Sequence, residues 1–349
     1  MSNITYRILH GRVSARIPTR VPLITALLIS TMIVVLSLSV TLGSFVLELH
    51  AIVDVLRTPN IQDSAHTVVW QLRLPRFITA CFVGIMLAIS GALLQGTTRN
   101  PLADPSLVGV SQGASFAVVF LIVIWPETPI YLRPIAAFGG GMLAAMLVQW
   151  IALGKQSAAS LRFILVGIGV AALISAGTTA MLTYGQVNRA MSALGWLAGS
   201  VHTATWEICL ISSMCCLACV PVLIWSARPI SALKYGPEIA TGLGLKLRRD
   251  RFILISLAVA LAGFATAAAG PIGFVGLIAP QIALRLVRCG SGAHIILSGF
   301  VGAILVSSAD LLGRYIAAPI QLPAGLVSAV IGVPVFILII LKRAKYRSL

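Results

Sequence analysis

The sequence predicts an all-α integral membrane protein of about ten transmembrane helices. Three observations carry that prediction. Of the 349 residues, 58% are hydrophobic, and only 10% are charged. A soluble domain usually holds about 25% charged residues, so this chain lacks the polar surface to cover a water-facing globule. Its apolar residues also gather into runs of the length a bilayer core requires, roughly 20 per helix, and mean hydropathy reaches +1.01. The predicted spans are 22–43, 77–95, 106–125, 134–153, 163–183, 208–225, 252–269, 272–287, 295–313 and 324–341.

The first 21 residues form a polar N-terminal segment with Arg7, Arg12, Arg16 and Arg20. The apolar run from Pro22 to Gly43 exceeds the 7–15-residue core of a signal peptide, and no A-x-A site follows it. It is expected to stay as the first span. The second opens at Pro75, a residue suited to a first helical turn because its missing N–H costs nothing there. At its far end "RNPLADP" (Arg99 to Pro105) stops the helix, and Asp104-Pro105 supplies a cap and a first residue for the third span. That stretch reads either as a plain turn or as irregular backbone lining a central path, which a membrane tolerates only inside a bundle. Spans seven and eight are parted by Gly270-Pro271, and small residues in "GPIGFVGLIAPQIALRL" favour close helix packing. Span nine ends in "SSADLLGRYIAAPIQLP", and the chain closes on the basic tail 343–349.

An even number of spans puts both termini on one side. With the termini cytoplasmic, 19 of the 25 lysines and arginines fall inside, and six fall outside: Arg57, Arg73, Arg76, Arg133, Arg189 and Arg314. This follows the positive-inside rule, so the net charge of +16 reflects topology rather than a nucleic-acid partner. Trp70, Trp125, Trp150, Trp206 and Trp225 lie near predicted span ends, as an aromatic belt requires.

Four departures from plain membrane helix carry the functional reading. Arg73 and Arg76 oppose the helix dipole and the charge rule, so they either hold lipid phosphates or meet an external acidic protein. Asp310 sits four residues before Arg314 on one helix face, where the two form a structural pair. The cysteines Cys209, Cys215, Cys216 and Cys219 occupy one apolar run and read as packing residues, with no redox or metal role. Finally, "LKYGPEIATGLGLKLRRDR" (233–251) is the longest cytoplasmic connection. Pro237 and Glu238 start a short helix, Gly242 and Gly244 end it, and "LGLKLRRDR" reads as a second short helix. Leu243, Leu245 and Leu247 would stand exposed, so the interval looks like an apolar-tipped, charge-rimmed docking knuckle.

The chain has no G-x-x-x-x-G-K-[ST] phosphate loop, and its scattered histidines build no catalytic or metal cluster. It is expected to be neither an enzyme nor a holder of cofactors. An ion-gradient carrier is the alternative transporter class, yet it would need ionisable groups near mid-membrane, and Asp310 is the one clear candidate.

Read together and in order, "RLPR", "SGALLQGTTRNPLADPSLVGVSQGASFA", "GPIGFVGLIAPQ", "SSADLLGR" and "QLPAGLVSAVIGVPVFILII" resemble the FecCD family of binding-protein-dependent ABC importer permeases. The resemblance runs from about residue 25 to 342. It implies an ABC permease of the cobalamin-permease type, with residues 22–342 as its ten-helix domain. The implied partners are a second permease subunit, two ATPase subunits that hold ATP and Mg, an extracytoplasmic binding protein and the lipid of a bacterial inner membrane. The family carries ferric siderophores, haem or cobalamin, and a ferric siderophore is the favoured cargo. By motif, Arg73, Arg76 and Arg314 look like the arginines that engage the binding protein. Asn100, Leu102, Ser160 and Leu161 match positions near the cytoplasmic gate. Residues 234–249 match the coupling helices, with Tyr235, Gly236, Glu238, Ala240, Thr241, Gly242, Leu243, Gly244 and Leu245 as the ATPase contacts. Two departures stand out: Gln281 follows Pro280 where the family usually has histidine, and Gln321 replaces a common acid before Leu-Pro.

Overall fold

A computed structural model describes residues 3–8, 13–42, 64–152 and 159–345. Arg12, Arg57, Lys155 and the last four residues of the basic tail lie outside them. Two strands, β1 (Asn3–Ile8) and β2 (Val13–Pro18), pair antiparallel with Tyr6 opposite Ala15. Composition marks this segment only as a basic start. The alternation of Ile4, Tyr6 and Ile8 with polar neighbours has the period of a strand.

All ten predicted spans are present as helices. They are α1 (Arg20–Thr41), α2 (Leu74–Thr98), α3 (Val110–Val123), α4 (Leu132–Ala152), α5 (Ala159–Tyr184), α7 (Trp206–Leu233), α9 (Leu247–Ala269), α10 (Val275–Leu286), α11 (Ser291–Ile316) and α12 (Ala324–Lys345). Two short helices lie between them, α6 (Val187–Leu197) and α8 (Pro237–Gly242). A run-in, Ser64–His66 and then the π-helical Thr67–Arg73, leads directly into α2.

Helix α2 is the central post, buried along almost its whole length and flanked by α9, α10 and α11. Two glycine crossings fix it. A Cβ on Gly84 would lie 2.2 Å from the Gly302 carbonyl oxygen of α11, and one on Gly91 would lie 1.8 Å from that of Gly276 in α10. Helices associate in lipid by such close backbone approach, since apolar burial gives no preference for helix over acyl chain. Helices α3 and α4 repeat the device through Gly113 and Gly140.

The return after Gly270 is deeper than the predicted span 272–287. Helix α9 ends at Ala269, Gly270 takes φ 71°, and the chain stays non-helical to Phe274, itself left-handed at φ 68°. Helix α10 then spans 12 residues, only about 18 Å. Its start abuts Gly91, which lies about 22 Å along α2 from Arg76. Irregular backbone at such depth needs protein partners. Ser200 N–H donates to Ala269 O at 2.7 Å, and Ser328 Oγ donates to Gly273 O at 3.3 Å.

Helix α6 was not predicted. Its polar positions Asn188, Arg189 and Ser192 break up the apolar run, and it is too short to span. Arg189 Nη1 donates to Val123 O at 3.1 Å and ties α6 to the end of α3. The second short helix expected after Gly244 is also corrected, because "LRRDR" (247–251) forms the first turns of α9 without interruption.

Candidate functional site

The three arginines predicted to engage an external partner gather at one place, where the ends of α1, α2 and α11 converge. Arg73 closes the π-helical run-in, and its Nη1 donates to Val40 O and Thr41 O at the end of α1. Arg76 Nε donates to both oxygens of Asp310, at 2.8 and 3.0 Å, and Nη2 stands 2.7 Å from Oδ1. Its Nη1 donates to Gln321 Oε1 at 2.8 Å. Arg314 Nε lies 3.3 Å from Asp310 Oδ2, and its Nη2 donates to Ser39 Oγ at 2.7 Å.

The predicted Asp310–Arg314 pair therefore exists, but the stronger geometry belongs to Arg76, 234 residues away in sequence. Exposure is low throughout: 5% for Arg73, 7% for Arg76, 6% for Arg314 and 2% for Asp310. Reversing Arg73 and Arg76 to glutamate cannot leave the fold intact, because it would set new carboxylates in a buried site beside Asp310 and the α1 carbonyls. Gln321, where the family usually places an acid, contributes only a neutral acceptor. Two guanidiniums, those of Arg76 and Arg314, thus share the Asp310 carboxylate. His202 lies close by and accepts or donates to Ser200 Oγ at 3.0 Å. Burial, and then the Arg76 charge, hold its imidazole below the ordinary value, and Asp310 opposes them.

At the opposite end of α2 the predicted gate residues form a tight turn. Arg99 is left-handed at φ 54°, Asn100 Oδ1 accepts from Leu102 N–H at 3.0 Å, and Leu102 is exposed. Asp104 caps the 3₁₀ turn Pro105–Val108 by accepting from Ser106 N–H at 2.9 Å and Ser106 Oγ at 2.5 Å. Burial raises its carboxyl above the usual range, and the Ser106 bonds act against that. Ser160 and Leu161 lie in the first turn of α5, and their side chains fall outside the described residues. That turn does meet the loop: Phe163 and Ile164 line a small cavity with Ala103 and Asp104.

Sequence reasoning missed Gln95. Its Nε2 donates to Gly276 O at 3.2 Å and Leu277 O at 3.1 Å, and its Oε1 accepts from Gln281 Nε2 at 2.6 Å. Two glutamines thus bind the start of α10 to α2. The available signal was a lone amide inside the apolar run "GALLQG".

The knuckle is built around α8. Gly236 (φ 110°) and Gly244 (φ 86°) turn the chain at either end, and Leu245 N–H donates to Ala240 O at 3.0 Å to close it. Ala240 is fully buried and anchors α8 against the bundle. Leu245 and Leu247, expected to be exposed, instead pack partly against the main core. The apolar tip is formed by Leu243, 64% exposed, with Ile239 and Tyr235. A cleft of about 760 Å³ runs beside it, lined by Thr241, Leu245, Lys246, Leu247, Arg248, Arg249 and Phe252.

Residues 30–342 match the profile of the FecCD transport family. The Fe(3+)-citrate import system permease protein YfmE of Bacillus subtilis (strain 168) is 39% identical over 329 residues, 93% of this chain and 96% of that one. The Fe(3+) dicitrate transport system permease protein FecD of Escherichia coli (strain K12) is 35% identical over 276 residues, covering 79% and 85%. Among solved structures, an inward-facing metal-chelate type ABC transporter superposes with a TM-score of 0.82 at 28% identity, over 92% of this chain and 99% of that one.

Proposed function

We propose that this chain, which belongs to the FecCD transport family, is the membrane-spanning permease of an ATP-driven importer, with a ferric siderophore as its cargo. The observation that carries the reading is the knuckle. A polar, apolar-tipped projection on an otherwise greasy bundle has the make-up of an interface core and rim, and Leu243 at its tip is exposed. On this reading an ATPase subunit, with its ATP and Mg, covers α8. A second permease completes the path, and an extracytoplasmic binding protein meets the arginine cluster at the other end. Both termini then lie in the cytoplasm.

The cargo follows from chemistry shared by the relatives, whose names specify Fe(3+)-citrate import and Fe(3+) dicitrate transport. Haem and cobalamin are the competing cargoes within the same mechanism. A gradient-driven carrier is disfavoured by the surroundings of Asp310: two guanidiniums hold this acid, whereas a coupling acid has to exchange its ion.

The test is reconstitution of the permease with its cognate ATPase and binding protein in proteoliposomes, using radiolabelled ferric siderophore. Uptake is expected only with ATP, and excess haem or cobalamin is expected not to compete. Accumulation driven by a proton or sodium gradient without the ATPase would overturn the proposal.

A further inference from the structure

We propose that the groove between α7 and α9, at the knuckle's end of the bundle, holds an anionic phospholipid. Its phosphate sits on Arg249, and an acyl chain follows the outer face of α7. The proposal needs only the bundle in a bilayer and stands apart from the ATPase reading.

Pro221, Val222 and Trp225 of α7 and Arg249, Asp250 and Ile253 of α9 line this groove, which encloses about 440 Å³. Arg249 also borders the cleft beside the knuckle, together with Lys246 and Arg248. Its side chain is exposed, and among the described residues no ion pair joins it to an acid.

Helix α7 itself sets the depth of the groove. Trp206, at its other end, donates through Nε1 to Trp70 O at 2.7 Å. Trp225 follows 19 residues later, after about 28 Å of helix, and the hydrocarbon core of a bilayer is roughly 30 Å thick. The two indoles therefore mark the two interfaces, where tryptophan settles, and the groove lies at headgroup level. From Trp225 the helix runs on to Leu233 before the knuckle begins, about 12 Å further, so a lipid here leaves the tip of α8 clear.

Leu210, Met214, Leu217, Pro221 and Trp225 recur in steps of four and three and so share one side of α7. All five are exposed, the first three by more than half. This apolar stripe ends in the groove and gives a chain its track. Any lipid would cover the stripe, but the cation selects among headgroups. The fork of a guanidinium binds two phosphate oxygens together. The positive end of the α9 dipole reinforces it. Asp250, the acid of the groove, accepts from Lys246 N–H at 2.9 Å, and Lys246, Arg248 and Arg249 outnumber it. A zwitterionic headgroup would carry an ammonium into this field, whereas an anionic one carries none. Basic pockets between membrane helices favour anionic headgroups for that reason.

The experiment is native mass spectrometry of the full-length permease, titrated with phosphatidylglycerol or phosphatidylethanolamine. Wild type is expected to retain the first more tightly. Arg249→Gln is expected to weaken phosphatidylglycerol about fivefold and leave phosphatidylethanolamine and the thermal midpoint unchanged. Leu217→Gln is expected to weaken both lipids. Arg288→Gln, which removes an exposed cation from the loop after α10, is expected to change neither. Equal losses in Arg249→Gln and Arg288→Gln would reduce the effect to diffuse charge and overturn the proposal. Full retention of both lipids by Leu217→Gln, or displacement of phosphatidylglycerol by millimolar inorganic phosphate, would leave a bare anion site and also overturn it. So would phosphatidylglycerol lost as the permease dimerises, which would give the face to a second copy. Weakened ATPase binding by Arg249→Gln with lipid retention intact would give the groove to the ATPase instead.

Discussion

Replacing Asp310 by asparagine tests the arginine cluster most directly. The carboxylate receives two bonds from Arg76 Nε, lies 2.7 Å from Arg76 Nη2 and stands 3.3 Å from Arg314 Nε. Hydrogen bonds to charged groups contribute about 1.5–3 kcal/mol each, but much of that sum offsets desolvation of the three ions. What the substitution exposes is the remainder, two buried cations without a counter-charge. Breaking a buried pair in this way costs about 3–5 kcal/mol. At roughly 2 °C per kcal/mol for a chain of this size, the midpoint is expected to fall by about 6–10 °C. The assay is thermal unfolding in nanodiscs followed by the fluorescence of the six tryptophans. Arg314→Gln is the comparison. It forfeits the Ser39 bond but relieves the positive excess and leaves the Arg76–Asp310 pair whole, so its cost is expected near 1–2 kcal/mol. If Asp310→Asn proved milder than Arg314→Gln, the carboxylate would not be the hub of the cluster.

Further expectations concern other parts of the molecule. Gly91→Ala places a methyl 1.8 Å from Gly276 O and is expected to abolish a monodisperse peak on size-exclusion chromatography. Gly139→Ala, which meets nothing within 4 Å, is expected to behave as wild type. Gly242→Pro removes a backbone N–H at the end of α8 and is expected to leave ATP hydrolysis running while labelled uptake stops; normal uptake would count against the knuckle. His202 is held below its ordinary value, so folding disfavours its protonated form. Its contribution to stability is complete above pH 6.5 and falls away as pH drops through that value towards the lowered one. Titration followed by histidine proton shifts is expected to move up in Arg76→Gln and down in Asp310→Asn; unchanged titration in both would separate His202 from the cluster.

The sequence made the spans legible because burial in lipid demands long apolar runs, and such runs survive as text. The Asp310–Arg314 pair was legible for a similar reason, since four residues on a helix make one step along a face. Arg76 escaped because its partner lies on another helix, and no local spacing encodes that meeting. Helix α6 escaped because a short amphipathic segment at a membrane surface looks like loop when apolar run length is the criterion. The continuity of α9 through Arg248 and Arg249 was hidden by charge, which marked the end of the apolar run but not the end of the helix. Gln95 and Gln281 join two segments 186 residues apart, and only the fold brings them together.

At Gly84 and Gly302 main chain rests on main chain, which leaves no rotamer to flip and no alternative interlock. Helices α2 and α11 are therefore expected to move as one girder, leaving any rearrangement to sparsely covered helices such as α5. A distance probe spanning the girder would stay silent during turnover, whereas one from the girder to α5 would report it.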